Sequence, residues 1–153
     1  MSDSLNLYSL SDNGNGYDFV TKQGQVYEIY FYQNSVYFED LNLKNIVYDF
    51  GFTIKDETSE AVFDKQVELT IVNSLMEYFR KNPSYVLVSI CDNSDKKEVL
   101  RFRLFSWWYI RHLSNEIEQI AFKLNDLYGS IFISYENPVR NMIKEIIFRE
   151  FAI

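Results

Sequence analysis

"SICDNSDKKEVLRFRLFSWWYI", Ser89 to Ile110, can be read as helix or as strand, and the fold turns on that choice. Its apolar opening reads as the end of a buried strand, and the polar run Asp92–Lys97 interrupts it. The residues after that run fit two periods. Asp95 and Glu98 stand at capping-box spacing, with Asp in place of the usual Ser or Thr. A helix from there to about His112 would carry Arg101, Phe105, Trp108 and His112 on one side. Leu100, Phe102 and Leu104 also alternate with Arg101 and Arg103, which is a strand pattern. The capping spacing favours the helix. On that reading the break is a strand-to-helix turn closed by Asp95. Trp108, four residues beyond Leu104, then faces the core, and Trp107, about 100° away, does not. Arg101 falls on a flank and calls for a carboxylate tether, with Asp92 the nearest in sequence.

Upstream of this stretch the chain carries a clear hairpin signal. In "YDFVTKQGQVYEIYFY", Tyr17, Phe19 and Thr21 alternate, as do Tyr27, Ile29 and Phe31, with Gly24 between them. A second strand pair is expected around Ser35–Glu39 and Ile46–Ile54, where Gly51 suggests a bulge or a close backbone approach. Asp64 can cap a helix running to about Lys81, with Val67, Ile71 and Leu75 as its apolar stripe. Asn82-Pro83 ends it, and "SYVLVSIC" is a strand by its β-branched content. Beyond Ile110, "EIEQIAFKLNDLYGSIFISY" reads as a hairpin turning near Asp126–Gly129. A last helix is expected from Pro138, its core face running through Val139, Met142/Ile143 and Ile146/Ile147 to Glu150/Phe151. The order ββββ-α-β-α-ββ-α, with about three helices, predicts an α+β fold on a mainly antiparallel sheet. Residues 1–15, with the breaker "SDNGNG", read as a flexible arm before a single domain at 16–153.

Composition narrows the function classes. A chain of 153 residues with 47% hydrophobic and 18% aromatic content can build a sizeable core. Its net charge of −7 argues against coating nucleic acid or an anionic membrane. The opening "MSDSLNLYSLSDNGNG" lacks the basic start and apolar run of a signal peptide, and no window is apolar enough to span a bilayer. With one cysteine, Cys91, no internal disulfide can form, so the cytoplasm is expected.

Standard chemistry is sparse. No glycine-rich phosphate loop occurs, and one histidine with one cysteine cannot make the usual zinc sites. A calcium loop begun at Asp92 would place Lys97 at its glycine and Arg103 at its closing acid, so the pattern fails. Asp95 and Lys97 have the Asp-x-Lys spacing of some nucleases, a match of two residues that chance supplies. His112 has no nucleophile motif beside it and reads as a polar residue near a helix end. Cys91 reads as a small buried residue. No cofactor is expected.

Charge is the stronger signal. Lys96, Lys97, Arg101, Arg103 and Arg111 lie within sixteen residues, a third of the fifteen basic residues of an acidic chain. Lysines in a first helical turn oppose the helix dipole. Either Asp92, Asp95 and Glu98 compensate them locally, or an external anion does, held by helix N–H groups and the basic side chains.

Taken together, Tyr17, Phe19 and Thr21, then Cys91, Asp92, Asp95, Arg101, Arg103, Phe105 and Trp108, resemble the pattern of a family of short uncharacterised bacterial proteins, domain of unknown function 6169. Lys96 departs from it, standing where a small turn residue is expected. The resemblance covers roughly residues 17 to 110 and implies no activity, cofactor or catalytic residue.

The expected function is a small cytoplasmic interaction module without catalysis. Its partner is expected to be another protein, met through Asp92, Asp95, Lys96, Lys97, Arg101, Arg103 and Trp107 or through an exposed sheet edge. A homodimer is also expected, with no membrane and no nucleic-acid partner. The alternative is an enzyme or sensor acting on a phosphorylated small molecule or nucleic-acid end through Asp92–Arg103. Converging basic side chains in a pocket would favour that alternative.

Overall fold

The structure, a computed structural model, describes residues 7–33, 45–56, 60–92, 96–124 and 127–151. In chain order it forms β1 (Ser11–Asp12), β2 (Gly16–Val20), β3 (Val26–Gln33), β4 (Val47–Ile54), α1 (Lys65–Lys81), β5 (Val86–Asp92), α2 (Lys96–His112), β6 (Ile117–Leu124), β7 (Leu127–Ser134) and α3 (Arg140–Phe151). The strands make one seven-stranded sheet in the order β1-β2-β3-β4-β5-β7-β6. All neighbours are antiparallel except β4 and β5, which run parallel with α1 as their crossover. The fold is α+β in the expected order.

The expected hairpin is β2–β3. Thr21 closes its turn, donating from its backbone N–H to the Gln25 carbonyl at 2.9 Å and accepting from the Gln25 N–H on its hydroxyl at 3.1 Å. Gly24 takes the left-handed φ of +80° that this turn needs. In β4, Gly51 faces Tyr30 across an unbroken ladder, so there is no bulge. An added Cβ there would collide with the Tyr30 phenol, which lies across the bare backbone.

Helix α1 starts where Asp64 accepts the Val67 N–H at 2.8 Å and stops at Asn82, before Pro83. Its stripe of Val67, Ile71 and Leu75 is wholly buried. The stretch Lys96–His112 is helical as α2. Phe105 packs on Phe50 and Phe132 at ring-centroid distances of 5.0 and 5.5 Å, and Trp108 stacks on Phe52 at 5.5 Å. Trp108 is 2% exposed and Trp107 63%, as the spacing predicts.

Alternation along the strands splits the core in two. Leu87 and Phe132 face α1 and α2, within the cluster that holds Leu75, Phe105 and Trp108. Val86, Val88, Ile131 and Ile133 face the other way and bury Ile143, Ile146 and Ile147 of α3. Two helices therefore cover one face and the third covers part of the other.

Three expectations change. From residue 7 onward the supposed arm is docked. Tyr8 stacks on Phe19 at 5.5 Å, its N–H donates to the Thr70 hydroxyl at 3.0 Å, and β1 pairs with β2. Polar composition concealed this because the apolar anchors are only Tyr8 and Leu10, with backbone groups supplying the rest. The strand expected at Ser35–Glu39 lies outside the described residues; among those described, β1 to β4 precede α1. Gly129 is in β7 and not in a turn, since β6 ends at Leu124 opposite Leu127. It is paired with Ile90 and Phe122, where an added Cβ would collide with the Ser89 carbonyl. Helix α3 begins at Arg140, two residues past Pro138, and Val139 and Met142 are exposed, leaving a narrower core face. Among the described residues no helix is long and apolar enough to cross a membrane.

Candidate functional site

β4 and β5 pair only from Val47–Asp49 to Val86–Val88 and then part. The N-terminal half of α2 lies along the opening. The result is a cleft of about 50 Å³, lined by Tyr30, Gly51, Ser89, Glu98, Arg101 and Phe105, among others. Such a space holds a water or a small ion and is far below the volume of a metabolite pocket. Arg101 is half-buried there and makes no ion pair among the described residues. Burial raises the Tyr30 phenol above its ordinary value, and the Arg101 charge partly opposes that rise.

The other predicted residues do not converge on this cleft. Lys96, Lys97 and Arg103 are exposed on α2, and none of them lines it. Asp92 ends β5, paired through its backbone with Leu127, but its side chain lies outside the described set. Asp95, with its expected cap, lies outside it too. Trp107 points to solvent. Leu100 at 52% and Ile110 at 60% exposure share its side of the helix, because positions 100, 103, 107 and 110 follow the three-and-four spacing of one stripe. The outward face of α2 is thus Leu100, Arg103, Trp107 and Ile110, with Arg103 making no ion pair among the described residues.

Two carboxylate hubs were not read from the sequence. Glu68 is buried on α1 and accepts from His112 Nε2 at 2.6 Å, Lys65 at 3.3 Å and Arg111 at 3.4 Å, tying the end of α2 to α1. Burial acts to raise its pKa, but the hydrogen bonds of His112 and Lys65 and the charges of Lys65 and Arg111 outweigh it, and the pKa ends below the ordinary value. His112 is therefore a strut with a named partner. Glu118 of β6 takes Arg140 at 2.6 Å and Lys144 at 2.7 Å, fixing α3, and its pKa is also lowered, against a burial effect of opposite sign. The sequence signal for Glu68 is its place three residues before Ile71, on the buried side of α1. For Glu118 no sequence signal preceded the topology. Among the described residues no group of three or more His, Cys, Asp or Glu could hold a metal ion. Cys91 is fully buried, as expected.

The fold thus defines a small α+β protein whose most distinctive surface is the outer side of α2. Residues 63–150, more than half of the chain, match a family of unknown function, DUF6169, and the chain belongs to that family. The matched region holds Cys91 to Trp108, whereas the hairpin of Tyr17, Phe19 and Thr21 falls outside it. No curated protein and no solved structure matches the chain.

Proposed function

We propose that this protein is a small, non-catalytic interaction module of bacterial cytoplasm that docks another protein on the outer face of α2. The observation that carries this reading is Trp107, 63% exposed between Leu100 and Ile110 and beside Arg103. Exposing a tryptophan and two aliphatic side chains on one stripe has no folding benefit, while Trp and Arg are the residue types that anchor interfaces. Lys96 and Arg103 at the same surface favour an acidic, partly apolar partner segment. The alternative, a phosphorylated ligand at Asp92–Arg103, is supported less well, because Arg101 lines the cleft beside α2 and Lys96, Lys97 and Arg103 do not join it there.

The test compares affinity-tagged wild type with the Trp107→Ser/Arg103→Ser double variant, each expressed in native cells. The expected result is one co-purifying protein with an acidic contact segment, retained by the wild type and lost by the variant at equal folded stability. Recovery of the same protein by both, or of none by the wild type, would overturn the reading.

A further inference from the structure

The last turn of α1, the end of β3 and the start of β4 bring Tyr78, Phe31 and Tyr48 together, and Tyr17 of β2 joins them. Their rings do not form one stack. Phe31 and Tyr78 lie parallel with centroids 3.8 Å apart, Tyr17 stands at 82° to Phe31, and Tyr48 stands at 68° to Tyr78. Asp12, the last residue of β1, and Asn15, from the β1–β2 turn, complete the wall of a hollow of about 270 Å³. That is just under the size of pockets for drug-sized ligands and suits a single headgroup.

The rim is fixed by its own bonds. Asp12 Oδ1 accepts the Gly14 N–H at 2.7 Å, and the Asn15 carbonyl accepts the Phe31 N–H at 2.7 Å. Gly14 has φ +93°, and an added Cβ at Gly16 would collide with the Ile29 carbonyl, so the turn is closed on the sheet by glycines. Asp12 thus holds a carboxylate at the mouth of a hollow walled by Tyr17, Phe31, Tyr48 and Tyr78. Phe31 and Tyr78 each cover one face of the other, and Tyr48 rests one face on Tyr85 at 4.6 Å, leaving Tyr17 and the second faces of Tyr48 and Tyr78 to meet a ligand. Among the described residues no lysine, arginine or histidine lines it.

We infer that this hollow binds an alkylated ammonium group. Ring faces carry negative potential and attract a cation within about 6 Å of the centroid. An alkylated ammonium is the best match because it sheds water easily and has few or no N–H groups needing acceptors. Asp12 adds the counter-charge and disfavours phosphate or carboxylate ligands. The group has two sources, a free quaternary amine or a methylated lysine of a partner protein. This site is independent of the α2 face, since none of its lining residues belongs to α2.

The test follows amide and tyrosine ring resonances while choline, its neutral tert-butyl isostere, or a trimethyllysine peptide is added to the whole chain. Choline is expected to give saturable shifts at Gly14, Asn15, Gly16 and the rings of Tyr17 and Tyr48, and the isostere much smaller ones. Asp12→Asn keeps the acceptor for Gly14 and should weaken binding by about threefold to tenfold, as Tyr17→Leu should, the range of a partly exposed cation–π contact. A peptide binding tenfold tighter than choline assigns the group to a protein partner, and equal affinity assigns it to a free amine. Equal shifts from the isostere, or no saturable shift with choline up to tens of millimolar, would overturn the inference.

Discussion

Leu75 is wholly buried in the middle of the α1 stripe, so its truncation measures how firmly α1 is seated. Leu75→Ala should cost about 2–5 kcal/mol in urea unfolding. A loss below about 0.5 kcal/mol, the size of a surface effect, would contradict the packing described. Trp107→Ala, in contrast, should stay within that surface range. Both assignments were legible in the sequence, because a helix period sorts positions by face without knowledge of the rest of the fold. Arg101 was legible only as a flank residue. Its cleft exists because β4 and β5 separate after three paired positions, which no local pattern announces. Since Lys96 and Lys97 do not join Arg101 there, sulfate or phosphate at fixed ionic strength should give no anion-specific rise in the wild-type Tm. A rise that the Lys96/Lys97→Ala variant loses would restore the phosphate reading.

At the level of elements, α2 shows why one cue outweighed another. Its alternating Leu100, Phe102 and Leu104 suit a strand, but Phe105, Trp108 and Tyr109 could be buried together only by the helical period. The β7 error has the opposite cause. Gly129 was read as punctuation, yet the chain needs it for close approach to Ser89, a contact set by a strand far away in sequence. The sheet also has two unlike edges. β1 is two residues long, while β6 offers eight residues that, among the described residues, pair on one side only. An edge of that length is a template for a second copy, although Glu118 and Lys123 moderate it. Sedimentation at tens of micromolar should therefore give a species of twice the 18.3 kDa chain mass. Trp107→Ser should leave that dimer intact if the edge forms it. A single 18.3 kDa species would refute the association, and a dimer dissolved by Trp107→Ser would move it to α2.

For the whole molecule, the two carboxylate hubs decide how the protein meets acid. Glu68 joins α2 to α1 on one face of the sheet, and Glu118 joins α3 to β6 on the other. Both have native pKa values below the ordinary glutamate value of 4.5, because their cationic partners outweigh burial. The unfolded chain therefore takes up protons at a higher pH than the native one. The stability they contribute is fully present above about pH 4.5 and is lost as pH falls through the lowered native values. The net charge of −7 works the other way, since protonating the other carboxylates relieves repulsion as the pH drops toward 5. The urea midpoint should accordingly hold or rise slightly from pH 7 to 5 and fall steeply below 4.5. Glu68→Gln/Glu118→Gln should be less stable than wild type at pH 7 and converge with it near pH 3. Parallel curves for the two proteins across that range would show that the hubs carry none of the acid sensitivity, and that His112, Arg111, Arg140 and Lys144 hold their helices by packing alone.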